Sequence, residues 1–265
     1  MKIKIMNYNI LHGFHQINAP FALEEERLKA AQEIVSKENP DILVLTEAKY
    51  GGKNIYGIKM DYVKIFGYPH SYFSPTEYEY GNMILSKFPI AGKTIPLSKR
   101  TGLKAQINLN GKILNIDVFH SYPDLTEDEK IESIKPLLNE IKENYILTGD
   151  FNSLSDEDYY DREELIKGFS KFDKSPEARA DRFLERKLIP YIRSHGLKDA
   201  FSPKTRTFTL PTSTYGYGAS KKEAAMRIDY FFISSKINVL KTKVIKNYLT
   251  EKASDHYPII GVFEL

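Results

Sequence analysis

Six short polar blocks, each at the edge of an apolar run, carry the residue types that phosphate chemistry needs. They are Tyr8-Asn9-Ile10, Leu45-Thr46-Glu47, Phe119-His120-Ser121, Gly149-Asp150-Phe151-Asn152, Arg227-Ile228-Asp229-Tyr230 and Ser254-Asp255-His256. Carboxylates and amides suit a hard divalent ion, and imidazoles suit phosphoryl oxygens. Glu47, at a strand's exit, reads as a carboxylate ligand to Mg²⁺ or Mn²⁺, or more plainly as a solvated glutamate at a strand end. Asn9 has a similar position and would supply a second, neutral ligand or hold a water. Asp150 and Asn152 stand two apart, so in an extended segment both address one phosphate. Asp150 is then a candidate general base and Asn152 a donor to a non-bridging oxygen, with an Asx turn as the competing arrangement. Adjacent residues diverge in an extended chain, which assigns Asp255 to the metal and His256 to the phosphate. Asp229 facing one ring nitrogen of His256 would fix its tautomer and favour the imidazolium; a surface pair with Arg227 is the other partner open to it. His120 would protonate the leaving oxygen or hold a phosphate oxygen, with Glu77 or Glu79 to orient it.

Around these blocks lie candidate substrate contacts. Tyr72, Phe73, Tyr78 and Tyr80 form one aromatic cluster, and Tyr215 with Tyr217 another. With Lys99, Arg100, Lys104, Lys221, Lys222 and Arg227 they would make a groove that stacks bases and neutralises phosphates. A solvated charge pattern over an aromatic core accounts for the same residues. The formal charge is only +3, from 38 basic and 35 acidic residues, which permits a polyanionic substrate without requiring one. Cysteine is absent, so thiolate nucleophiles, thiolate metal sites and disulfides are excluded together.

The elements that must position these residues follow from periodicity. Lys2 to Ile10 reads as a strand, Glu24 to Lys37 as an amphipathic helix and Ile42 to Leu45 as a buried strand. Further strands are expected at Asn82 to Leu85, Ala105 to Leu109, Ile113 to Phe119 and Tyr145 to Leu147, with Asn110-Gly111 a hairpin turn. Helices are expected at Glu129 to Lys142 despite Pro136, within Asp156 to Lys167, and from Ala180 to His195. Residues 201–225 read as a long surface loop, and strands Asp229 to Ser234, Val239 to Ile245 and Ile259 to Phe263 close the chain. Strands and hairpins interleaved with single helices predict an α/β fold with two mixed sheets packed face to face. With 42% hydrophobic residues and no linker, residues 1–265 are expected to form one domain. No signal segment precedes the first strand and no apolar run reaches the roughly 18 residues that span a bilayer, so a cytoplasmic, monomeric protein is expected.

The ordered set of blocks resembles the endonuclease/exonuclease/phosphatase superfamily over residues 2 to 264. Asn9 matches the family's strand-one Asn, Glu47 its metal Glu, and His120 the active-site His of its deoxyribonuclease and sphingomyelinase branches. Gly149 to Asn152 matches its GDxN block, Arg227 to Tyr230 its Arg-Ile-Asp-Tyr block, and Ser254 to His256 its closing SDH. Gly81 to Ser86, with Asn82, is similar to its Gly-x-x-Ile-Leu-Ser strand. The resemblance implies a four-layer α/β/β/α sandwich and Mg²⁺-assisted attack of water on phosphorus. In that scheme Glu47 is on the metal, Asp150 and Asn152 stand beside the nucleophile, and His256 pairs with Asp229. The chain lacks Trp, and Ala225-Met226 precedes Arg227 where abasic-site enzymes of the family carry one. A nuclease or DNA-end-processing phosphodiesterase is therefore the expected activity, with a phosphatase for small phosphoesters or inositol phosphates as the alternative. A sphingomyelinase-like lipid phosphodiesterase, or a binding protein that has lost catalysis, ranks behind both; such a relic would lack at least one of the six acidic, amide and imidazole groups, and none is missing.

Overall fold

Side chains alternate between the two faces of a strand, and this chain uses the alternation consistently. In β1 (Lys2–Asn9) Ile3 and Ile5 face one way, Met6 and Tyr8 the other. The computed structural model describes residues 1–16, 22–49, 60–76, 80–171, 173–213 and 225–265. In it, β1 joins β2 (Ile42–Lys49), β3 (His70–Pro75), β4 (Tyr80–Ser86), β11 (Asn238–Val244) and β12 (Ile259–Glu264) in a sheet of order β11-β12-β1-β2-β4-β3. A second sheet runs β5-β6-β7-β8-β10-β9. Its strands are β5 (Ile90–Pro96), β6 (Thr101–Leu109), β7 (Lys112–His120), β8 (Tyr145–Asp150), β9 (Lys198–Asp199) and β10 (Asp229–Ile233).

Between the sheets lies a core of Ile3, Ile5, Ile42, Val44, Ile84, Leu103, Ile107, Leu114, Ile116, Val118, Ile146 and Phe231. The opposite face of the first sheet packs on α1 (Glu25–Glu38), α2 (Tyr62–Phe66) and α7 (Thr250–Ala253) through residues such as Met6, Tyr8, Leu43 and Leu85. The outer face of the second is covered by α3 (Glu127–Leu138) and α6 (Leu188–Ser194) over Phe119, Tyr145, Leu147 and Phe232. The result is the α/β/β/α sandwich. A further pair, α4 (Arg162–Phe169) and α5 (Pro176–Leu184), packs on Leu154, Met226 and Ile228 at one end. Among the described residues, no helix is long and apolar enough to cross a membrane.

Several expectations need correction. The long helix from Ala180 to His195 is two helices, α5 and α6, separated where Arg186 takes a left-handed φ of 51°. The described part of the 201–225 segment is not simply surface, because Thr209, Pro211 and Thr212 are buried. Thr209 and Leu210 N–H groups donate to Met226 O. Strands β3, β5 and β9 and helix α2 carry too little periodicity to be anticipated. Pro136 sits inside the last turn of α3, which ends at Leu138, short of Lys142.

Candidate active site

The polar blocks meet at one end of the inter-sheet layer, and strand parity is the reason. Asn9, His120, Asp150 and Asp229 share parity with Ile5, Val118, Ile146 and Phe231, so each continues its strand's core-facing row to the point where polar groups replace apolar ones. Register aligns them: His120 lies opposite Asp150 across the parallel β7–β8 pair, and Asp229 opposite Asp150 across the antiparallel β8–β10 pair. Gly149 allows the close approach. It has φ 138°, and a Cβ there would fall 1.9 Å from Phe119 O. Asn7 Nδ2 crosses between the sheets to donate to Gly149 O (3.3 Å).

Glu47 arrives by a different device. β2 does not end before it but continues to Lys49, with a register shift against β4 between Leu45 and Ala48. Glu47 takes φ 58°, and this bulge turns its carboxylate into the pocket. Asn9 then links the two sheets' acids, its Nδ2 donating to Glu47 Oε1 (3.2 Å) and Asp150 Oδ2 (3.0 Å). Its Oδ1 accepts from Leu11 N (3.0 Å), so Asn9 turns a donor toward the carboxylates instead of the oxygen a metal ligand would offer. The His12 N–H donates to Glu47 Oε2 (2.8 Å). Burial pushes the Glu47 carboxyl up, but its neighbours His12, His120 and Arg100 and the His12 N–H outweigh it and hold it down at about 2.

Asp229, which had two partners open to it, faces the imidazole: His256 Nδ1 and Asp229 Oδ2 are 2.8 Å apart. Asp229 Oδ1 is buried without a hydrogen-bond partner among the described residues. His256 Nε2 points toward Asp150 Oδ2 at 3.7 Å. Burial alone would lower the His256 pKa, yet Asp229, Asp150 and Asp255 raise it well above the usual value and favour the imidazolium. His120 has the opposite environment. Burial and then the Arg100 guanidinium, which lies against its ring, push its pKa well below the usual value despite Glu47. Its Nε2 is 3.5 Å from Asp150 Oδ2 and 3.9 Å from Glu47 Oε1. Asp150 is raised to about 7, first by burial, with the His256 charge opposing and the Asp229 charge adding to it.

The 150–152 segment does not stay extended. Asn152 has φ 47° and its N–H donates to Asp150 Oδ1 (2.9 Å), the Asx-turn arrangement. Its side chain still lines the pocket, with Nδ2 donating to Ser121 O (3.0 Å). A brace that the sequence reading missed holds this turn from below. Lys130, fully buried and paired with Glu127, donates to Asn152 O, and Glu127 also accepts from Ser153 Oγ (2.9 and 2.7 Å). Spacing of a Glu and a Lys three apart in a helix was the available signal, but it is common on solvated faces.

Of the expected substrate contacts, Arg100 lines the pocket. Lys104 and Arg227 do not. Lys104 has the parity opposite to Leu103 and Ala105, so it projects from the outer face of the second sheet, 3.8 Å from Asp117. Arg227 is 3% exposed, its Nε on Asp158 (2.7 Å), its Nη1 on Asp199 (2.6 Å) and its guanidinium 4.4 Å from the Tyr230 ring centroid. It is a structural cation, turned away from the pocket that its neighbours Met226 and Ile228 line. Tyr78, Tyr215, Tyr217, Glu77, Glu79, Lys221 and Lys222 lie outside the described residues.

Among the described residues, no three His, Asp or Glu side chains stand ready-made around a metal position. The donors nevertheless fit a hard divalent ion in kind. Glu47 and Asp255 bring carboxylate oxygens to one pocket, and Asp255 is raised by burial and, against the pull of His256, by the Glu47 charge. A cation between the two acids would relieve that repulsion.

Residues 6–256 match the model of the Endonuclease/Exonuclease/phosphatase family. No curated protein sequence matches the chain. Solved structures share the fold at low identity. An endonuclease/exonuclease/phosphatase from Beutenbergia cavernae DSM 12333 is similar at 21% identity and TM-score 0.66, over 100% of this chain and 72% of that one. A family protein from Leptotrichia buccalis C-1013-b is similar at 19% identity and TM-score 0.64, over 99% of this chain and 100% of that one. D. rerio TDP2 complexed with single-strand DNA product is similar at 17% identity and TM-score 0.63, over 100% of this chain and 99% of that one.

Proposed function

The chain belongs to the endonuclease/exonuclease/phosphatase family, and we propose that its pocket hydrolyses phosphodiester bonds, with nucleic acid as the substrate class. One observation carries the reading: a continuous polar chain from Glu47 through Asn9 to Asp150, with His256 beside it and Asp229 behind. Asp150, held near neutrality by its burial, accepts the proton of the attacking water. Asn9 fixes the carboxylate that does so. The His256 imidazolium donates to the phosphoryl oxygens as charge builds on them, and Asp229 holds its ring in orientation and stabilises its charge. His120 is the neutral partner; the fixed positive charge beside it belongs to Arg100, which takes the role of neutralising a non-bridging oxygen. Mg²⁺ or Mn²⁺ bound by Glu47 and Asp255 would supply Lewis-acid polarisation of the phosphoryl group.

Nucleic acid is favoured by the rim. Lys99 Nζ lies 4.9 Å, and the Arg100 guanidinium carbon 5.7 Å, from the Tyr122 ring centroid, so two cations gather on a half-buried aromatic beside the pocket-lining Arg100 and Pro123. The DNA product held by the zebrafish relative points the same way. The test is a panel of single-stranded DNA, plasmid DNA, abasic duplex, 5′-tyrosyl DNA, inositol phosphates and sphingomyelin, with Mg²⁺ or Mn²⁺ and with chelator. Cleavage of a nucleic acid is expected, abolished by chelator and by Asp150→Asn. Turnover of phosphomonoesters alone would end the nuclease reading.

A further inference from the structure

The structure assigns a positioning role to Arg27, a residue of α1 that touches none of the reacting groups, and this inference rests on the hydrolase reading above. Its guanidinium is buried, 5% exposed, at the back of the first sheet. A guanidinium has five N–H donors in a fixed plane, and here every one is used. Nη2 donates to Ile10 O (3.0 Å) and Leu11 O (2.9 Å), Nη1 to His15 O (3.3 Å) and Glu24 Oε2 (3.0 Å), and Nε to Ala253 O (3.0 Å).

The carbonyls chosen are the ones that matter to the pocket. Ile10, Leu11 and His15 bracket a loop whose residues Leu11, His12, Gly13 and Phe14 all have left-handed φ, from 42° to 67°. Non-glycine residues hold such a conformation only when their surroundings impose it. That loop delivers the Leu11 N–H to Asn9 Oδ1 and the His12 N–H to Glu47 Oε2, fixing both side chains. Ala253 is the last residue of α7 and leads directly into Ser254-Asp255-His256. Ser254 Oγ returns to Asn9 O (2.7 Å) and lies 3.2 Å from Asp255 Oδ1. One side chain thus clamps two loops, distant in sequence: one whose N–H groups hold the Asn9 and Glu47 side chains, and one that carries Asp255 and His256. Lysine could not replace it, because an ammonium has three donors and no planar fork.

Arg27→Lys and Arg27→Ala are the test, both expected to fold because Ala30, Ala31, Ile34 and Val35 keep α1 on the sheet. On a fluorophore-labelled single-stranded DNA with Mg²⁺, kcat should fall about 100-fold with KM little changed, the scale of misplacing a reacting group by about 1 Å. Arg27→Lys should not restore it, whereas methylguanidinium added to Arg27→Ala should recover part of the lost kcat and methylammonium none. By hydrogen exchange, residues 10–15 and 253–256 should lose protection together while β8 and β10 keep theirs. Wild-type kcat in Arg27→Ala, or protection lost evenly over the whole chain, would overturn the assignment. If wild type cleaves nothing in the substrate panel, the hydrolase reading fails, and the exchange pattern alone still decides whether Arg27 clamps the two loops.

Discussion

Two imidazoles share one pocket, and their surroundings drive them to opposite protonation states. His256 has Asp229, Asp150 and Asp255 around it, while His120 has Arg100 against its ring. Opposed environments for like groups mark a division of labour between a charged donor and a neutral partner. His256→Ala should therefore lower kcat by about 3 kcal/mol of transition-state stabilisation, the scale of removing one preorganised donor. Asp229→Asn should cost a similar amount, because Asp229 acts through His256, and the double variant should be no slower than His256→Ala alone. Steady-state kinetics of the three variants decide it. Fully additive losses would mean that Asp229 works on something other than the imidazole. Metal affinity should be unchanged in His256→Ala, since the ring is not among the proposed ligands.

At the scale of elements, the site is where core-facing rows run out of apolar residues. That much was legible in the sequence: β1, β7, β8 and β10 were anticipated with their polar ends, and parity then puts Asn9, His120, Asp150 and Asp229 on one layer. The same parity, applied to Lys104, already excludes it, since Leu103 and Ala105 must face the other sheet. What could not be read was backbone that departs from regular geometry. The bulge at Glu47 uses a left-handed residue that no period reveals, whereas the Asx turn at Asn152 was one of two arrangements the sequence left open. Arg227 was misread because its partners, Asp158 and Asp199, are 69 and 28 residues away. Gly149 tests the importance of strand contact directly. Gly149→Ala meets both a φ closed to L side chains and the Phe119 carbonyl, so it should destabilise the fold by at least about 2–3 kcal/mol. In thermal unfolding that is a fall of roughly 5–10 °C for a chain of this size. Gly111→Ala, in the hairpin at φ 97° with nothing within 4 Å of the added carbon, should cost clearly less. Equal losses would show that conformation alone, and not the closeness of β7 and β8, sets the penalty.

For the whole molecule, the outer face of the second sheet adds a pH dependence that is separate from the chemistry. Asp117 is 3% exposed beside Tyr145, whose hydroxyl donates to its Oδ2 (2.9 Å), and Lys104 is 3.8 Å away. Burial raises its carboxyl from 3.8 to about 7, more than the Lys104 charge and the Tyr145 hydrogen bond pull it down. Between those two values the unfolded chain has released the proton while the folded chain keeps it. Stability must then fall as pH rises from about 4 to 7, and the contribution is constant above the folded value. The step from 3.8 to about 7 corresponds to at most about 4 kcal/mol, a sizeable part of a typical domain's stability. Asp117→Asn removes the ionisation but keeps an acceptor for Tyr145, and it frees Lys104 for solvent. Denaturant titrations should find the variant equal to wild type near pH 4 and more stable than it at pH 8, with the gap opening between. A gap of constant size across that range would mean that Asp117 keeps its ordinary acidity in the folded protein and that Lys104 fully compensates its burial.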